Sequence, residues 1–168
     1  MNFAYMKKMN LFARIFKLFN NKKIMEKMIN VDKTRKHYVI LTAYKTESTW
    51  LLSDPVYILS LDTTAEELAK VISDGLAHSR SISETEENIF RSNNKKLLKQ
   101  MKERSWSNLY KTSKSCTIKI DNNEITIEPW ILSGTLRGLV QDEERAVKLE
   151  FSKSNYVDVA QVVIDILT

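Results

Sequence analysis

The sequence predicts a single α+β domain built on an antiparallel β-sheet, made of two related strand-then-helix halves. Three observations lead there. The segment LAKVISDGL (68–76) returns near the C-terminus as VAQVVIDIL (159–167), with identities at Ala69 and Ala160, Val71 and Val162, Asp74 and Asp165, and Leu76 and Leu167. Both are amphipathic helices drawing on the same apolar residues, so the recurrence speaks for architecture before function. The strand-like runs are short and joined by hairpin-length connections, which favours antiparallel pairing over a doubly wound parallel sheet. At 168 residues the chain is one domain by length, able to remove roughly 70% of its unfolded surface from water.

Residues 1–30 read as a basic amphipathic arm and 31–168 as the domain. In the arm, Leu11, Phe12, Ile15, Phe16, Leu18 and Phe19 form an apolar face with Asn10, Arg14 and Lys17 opposite, a helical pattern. Charges interrupt every window well short of the ~18 apolar residues of a membrane span, and the broken apolar centre argues against a secretory signal. Three readings of the arm stand: a membrane-surface helix, a helix packed on the domain, or sequence upstream of a start at Met25 or Met28. Any contact with a membrane surface would come through this arm alone.

HYVILTAY (37–44) is β-branched and aromatic and reads as a strand, with TESTW leading through Trp50 towards a second. Pro55 is expected to open the next strand, VYILSL (56–61), since proline is tolerated at a strand's first position. Thr64 and Glu67 have capping-box spacing and start a helix whose inward stripe is Leu68, Val71, Ile72 and Leu76. Ser83 and Glu86 repeat the box for a short helix through Ile89 and Phe90. KKLLKQMKER (95–104) continues as a cationic helical piece, and Trp106 and Tyr110 at i and i+4 mark another short helix. The period then changes to two: CTIKI and EITIEP flank Asp121-Asn122-Asn123, Asx residues that tolerate positive φ, which predicts a β-hairpin. Gly134 and Gly138 bracket a short extended piece, DEER marks a solvated turn before AVKLEF (146–151), and a last helix runs from about residue 154.

The net charge of +5 is unevenly placed. Residues 1–29 hold seven basic side chains and one acid, Glu26, leaving nineteen basic and twenty acidic groups for the body. The body is therefore not a basic protein, and phosphate binding would need a local cluster. The one candidate is Lys95, Lys96, Lys99, Lys102 and Arg104, although such runs usually mark a solvated face. Trp50, Trp106 and Trp130 with Tyr44 and Tyr110 are candidates for base stacking, yet core packing is the better account of Trp106 and Trp130.

Catalytic groups are sparse. Cys116 shares a strand face with Ile118 and Ile120 and reads as a small buried hydrophobe in a reducing, cytoplasmic compartment. With one cysteine and two histidines, His37 and His78, no zinc site is expected, and three glycines exclude a phosphate-cradling loop. No catalytic residue, metal or cofactor is expected. His78-Ser79-Arg80 suits the end of a helix, where a cation meets the negative end of the dipole. Two acidic clusters remain as candidate binding residues: Glu84, Glu86 and Glu87, and Asp142, Glu143 and Glu144.

The succession WLLSDPVYILSLDTTAEELAKVISDGLAHSR, the helical insert, Ser105-Trp106 and the hairpin ending in IEPW resemble the immunity proteins of bacterial contact-dependent growth inhibition (CDI), over about residues 36–167. The resemblance implies a small cytoplasmic, non-enzymatic protein that binds the toxic C-terminal domain of a delivered effector. It also implies a fold similar to Whirly single-stranded-DNA-binding proteins. The family offers no shared contact motif to carry over. For a nuclease toxin, whose active site must attract phosphate, an inhibitor should present acids; the two clusters above are then the expected toxin-binding residues. The alternative on the same fold is a single-stranded nucleic-acid-binding protein using residues 95–104. Oligomeric state is left open.

Overall fold

The computed structural model describes residues 26–133, 138–151 and 153–168. The arm's predicted helix lies outside them, as does most of the piece between Gly134 and Gly138. Seven strands, β1 (Lys27–Lys33), β2 (His37–Lys45), β3 (Trp50–Ser60), β4 (Lys114–Asp121), β5 (Glu124–Leu132), β6 (Leu139–Gln141) and β7 (Val147–Glu150), form one sheet in the order β3-β2-β1-β4-β5-β6. β7 also pairs with β5, and every strand pairing is antiparallel. Three strands of each half run outward from the β1–β4 seam in chain order, and each half closes with a helix.

The central strand β1 corrects the predicted domain boundary: residues 27–30, assigned to the arm, belong to the middle of the sheet. Ile29-Asn30-Val31-Asp32 does alternate, but the run is only four residues long, set between Lys27 and Lys33 at the end of the basic arm, which made its signal weak. Asn30 and Asp32 are both buried between β2 and β4. Pro55 needs a second correction. It lies inside β3, where Leu41 pairs with Val56 and Thr42 with Ser53, so Asp54 and Pro55 are looped out. Its missing N–H is tolerated because β3 is an edge strand and the register shift leaves proline outside the ladder.

Helices α1 (Ala65–His78) and α5 (Tyr156–Ile166) lie together on one face. Each starts with a capping box, Thr64 with Glu67 and Asn155 with Asp158, satisfying backbone donors that the first turn leaves unpaired. Along the two recurring segments the degree of burial agrees at every aligned position except Gly75 and Ile166. The recurrence is thus one of helical phase: the same face of each helix meets the sheet. Leu68, Ile72 and Leu76 from α1 and Val159, Val163 and Leu167 from the C-terminus pack on Ile29, Val31, Ile40, Ile118, Ile125 and Ile127. Cys116 is buried in the same cluster, as its alternation predicts.

The insert forms α2 (Glu84–Ser92), α3 (Asn94–Gln100) and α4 (Trp106–Thr112), and it supplies a second cluster in which Leu97, Met101 and Leu109 bury Val39 and Leu41 of β2. The hairpin between β4 and β5 turns through Asn122 at φ 55°, the left-handed conformation that asparagine accepts at little cost. These helices lie mainly over β2 and β3, with α4 reaching the Asp32 end of β1. That unequal coverage creates the surface described next.

Candidate interaction surface

Because side chains alternate along each strand, the register alone assigns the residues that face away from α1 and α5. Met28 pairs with Ala43 and Lys119, Asn30 with Thr117, and Asp32 with Ser115; Thr117 pairs in turn with Glu128 and Ser115 with Trp130. Beyond the insert, this side of β1, β4 and β5 carries no helix among the described residues. It forms a groove of about 540 Å³ whose walls include Trp50, Leu52, Met28, Trp130 and Leu139, with Asn30 and Thr117 on its floor.

Polar contacts hold the groove in shape. The Trp130 indole N–H donates to Thr117 Oγ1 at 2.6 Å, and Gln141 Nε2 donates to Glu128 Oε2 at 2.7 Å. Lys45 sits 5.9 Å from the centre of the Trp50 ring. Glu26 pairs with Lys45 and lies 3.8 Å from Lys119; the Lys45 hydrogen bond holds its carboxyl below the usual range. On this side the sheet displays Glu26, Asp121, Glu124, Glu128 and Glu150 against Lys45, Lys119 and Lys148. Lys153 also pairs with Glu150 at 2.7 Å, so five carboxylates face four ammonium groups on this side, while the groove's own lining is balanced between Glu128 and Lys119.

At the edge of the groove the polar floor passes beneath α4. Ser115 Oγ donates to Asp32 Oδ1 at 2.6 Å and Asn30 Nδ2 to Oδ2 at 2.7 Å. Burial raises the Asp32 carboxyl to about 6, with these hydrogen bonds opposing the shift. Asp32 and Ser115 are enclosed and organise the seam between the halves, and of the three only Asn30 reaches the groove floor.

The predicted acidic residues fall elsewhere and apart. Glu84, Glu86 and Glu87 occupy the first turn of α2. Glu86 accepts from the Ser83 backbone N–H and hydroxyl and pairs with Arg80 at 2.6 Å; that holds its carboxyl down at about 2, the Arg80 hydrogen bond leading. Glu87 pairs with Arg91 at 2.6 Å, whereas Glu84 is exposed. Asp142, Glu143 and Glu144 lie just after β6, where Asp142 precedes a 3₁₀ turn (Glu143–Arg145) and is 3.9 Å from Arg145; Glu143 and Glu144 are exposed. α2 packs against β3, so the clusters stand at opposite edges of the sheet, roughly 24 Å apart across five strand spacings. Among the described residues, no group of three or more His, Cys, Asp or Glu is placed to hold a metal ion.

His78, Ser79 and Arg80 have separate duties at the end of α1. Ser79 is buried and ties the helix to the sheet, donating to the Ala43 carbonyl at 2.7 Å and accepting from Met28 N–H at 2.9 Å. The cations of 95–104 do not meet the exposed indoles. Lys95, Lys96 and Lys99 are on the solvent side of α3, with Lys96 paired to Asp54 at 3.0 Å. Trp106 packs with Tyr110 into the second cluster, as predicted. Trp130 departs from the core assignment, being a half-buried groove wall. Sequence reasoning missed the groove because Trp50 and Trp130, eighty positions apart, meet only through sheet order; the period-two placement of Thr117, Glu128 and Trp130 was the available signal.

No curated protein sequence matches the chain significantly. Solved structures that share its fold include two. One is a protein of unknown function from Neisseria meningitidis, with TM-score 0.67 and 17% identity over 88% of this chain and 95% of that one. The other is a CdiA-CT/CdiI toxin and immunity complex from Yersinia pseudotuberculosis, with TM-score 0.63 and 17% identity over 84% and 95%. Identity this low speaks for fold alone. The sequence model of CdiI, the CDI immunity protein, matches residues 27–155, from the first residue of β1 to the cap of α5. That match spans all seven strands and the insert, and the chain therefore belongs to the CDI immunity protein family.

Proposed function

We propose that this protein binds and neutralises the toxic C-terminal domain of a CDI effector, a nuclease, in the cytoplasm and without catalysing a reaction. The family match across residues 27–155 carries this reading. Among the described residues no helix is long and apolar enough to cross a membrane, which is compatible with that location. The two halves extending from the β1–β4 seam support a Whirly-like classification of the fold.

Within this reading the two acidic clusters steer the encounter. Glu84, Glu143 and Glu144 are exposed at opposite edges of the sheet and act on association rate. Glu86, Glu87 and Asp142, largely neutralised by arginines, contribute less. The test is co-expression of the chain with the C-terminal domain of the effector encoded beside it. Survival is expected with the native chain; death of those cells despite folded, abundant protein would reject the reading. Charge reversal of each cluster is expected to slow association with the toxin domain, and unchanged rates in both would remove the clusters from it.

A further inference from the structure

Resting on the toxin-binding reading, we propose that the groove between Trp50 and Trp130 is the anchor site for the cognate toxin domain. Its occupant is an apolar side chain carried on a basic protein surface. The volume, about 540 Å³, falls in the range of pockets that enclose a discrete ligand group. Its walls combine two tryptophans with Leu52, Leu139 and Met28, and tryptophan is enriched among the few residues that dominate protein–protein binding energy. Both indoles are half-buried in the isolated chain, so a partner still has apolar surface to remove from water there.

The walls are also preorganised. The Trp130–Thr117 hydrogen bond fixes one indole, Lys45 lies against the other, and Glu26 holds Lys45 and Lys119. Side chains already held in place lose little freedom on binding. Charge bears on the occupant through the sheet face beyond the groove. The groove's own lining is balanced between Glu128 and Lys119, but towards the β4–β5 turn the face carries Asp121, Glu124 and Glu150 against Lys148 and Lys153, an excess of carboxylate that complements the cationic surface a nuclease needs to hold phosphate. A second copy of this chain would bring the same net-negative face, and a nucleic acid strand would bring further negative charge; both are disfavoured.

The probe is the purified C-terminal domain of the effector encoded beside this chain, tested for binding kinetics against the native protein and its Trp50→Ser, Leu139→Arg and Glu128→Lys variants. Trp50→Ser and Leu139→Arg, with native circular dichroism and melting, are expected to weaken binding about thirtyfold or more, mainly through faster dissociation. Glu128→Lys is expected to slow association, with a reduced salt dependence. Failure of the native chain to bind would reject the toxin-binding reading and this proposal together. Native binding with all three folded variants unaffected would overturn the groove alone.

A second measurement is independent of variants at the walls. In a Trp106→Phe background the two groove indoles report alone. They are expected to be open to acrylamide quenching in the isolated protein and shielded when the toxin domain is added. Shielding already complete without toxin, by residues 1–25 or by a second copy, would overturn the proposal.

Discussion

Ser115 donates its hydroxyl proton to Asp32 at 2.6 Å across the β1–β4 seam, joining the two halves of the sheet by a hydrogen bond to a carboxylate that water does not reach. The raised Asp32 value, about 6, means that the folded state holds the Asp32 carboxyl proton more tightly than the unfolded chain does. Its contribution to stability is full below the unfolded value near 4 and is lost as pH rises through about 6. Asp32→Asn is therefore expected to flatten the pH dependence between 4 and 7 and to stabilise the protein at pH 7 by up to roughly 2–3 kcal/mol. Urea unfolding of both proteins across that range checks it; parallel profiles would disprove it.

Removing the Ser79 hydroxyl leaves the Met28 N–H and the Ala43 carbonyl without the partner seen at the β1–β2 edge. Ser79→Ala is expected to cost about 1–3 kcal/mol, the range for stranding a buried polar group. Chemical denaturation measures the loss, and hydrogen exchange at Met28 should quicken ahead of its neighbours.

α1 packs tightly on β1 at Gly75, where an added Cβ would stand 3.2 Å from Ile29 Cγ2 and 3.7 Å from Tyr57 Cε2. Gly75→Val has no room without moving the helix, and a loss of about 1–3 kcal/mol is expected from overpacking. A melting temperature equal to that of the native protein would show that the helix shifts freely.

Cys116 is fully buried, and burial pushes its thiol well above the ordinary range, with Asp32 adding to the effect. Ellman's reagent is expected to react only at the rate of unfolding and to gain speed in urea. Fast labelling in native buffer would contradict the packing.

The helices were legible because their signals are local. Thr64 with Glu67 and Ser83 with Glu86 announce two helix starts within four residues, and the structure holds both capping boxes. The Asp121–Asn123 hairpin was equally local. β1 was not, because its apolar alternation is confined to Ile29 and Val31, and the burial of its polar side, Asn30 and Asp32, depends on Ser115, eighty-three positions from Asp32. Pro55 was misplaced for a similar reason: a register shift is a property of two strands and is visible in neither alone. The acidic clusters were legible as composition, but their separation and their pairing with Arg80, Arg91 and Arg145 belong to the fold.

By itself the sequence determined the antiparallel α+β class, the two helices in matching phase and the helical insert between the halves, since periodicity and capping act over a few residues. Only the tertiary structure decided that the insert covers one side of a sheet face and leaves Trp50 opposite Trp130 across a groove in the remainder. Strand order is set by which apolar faces can be buried together, and that is an energy of the whole chain.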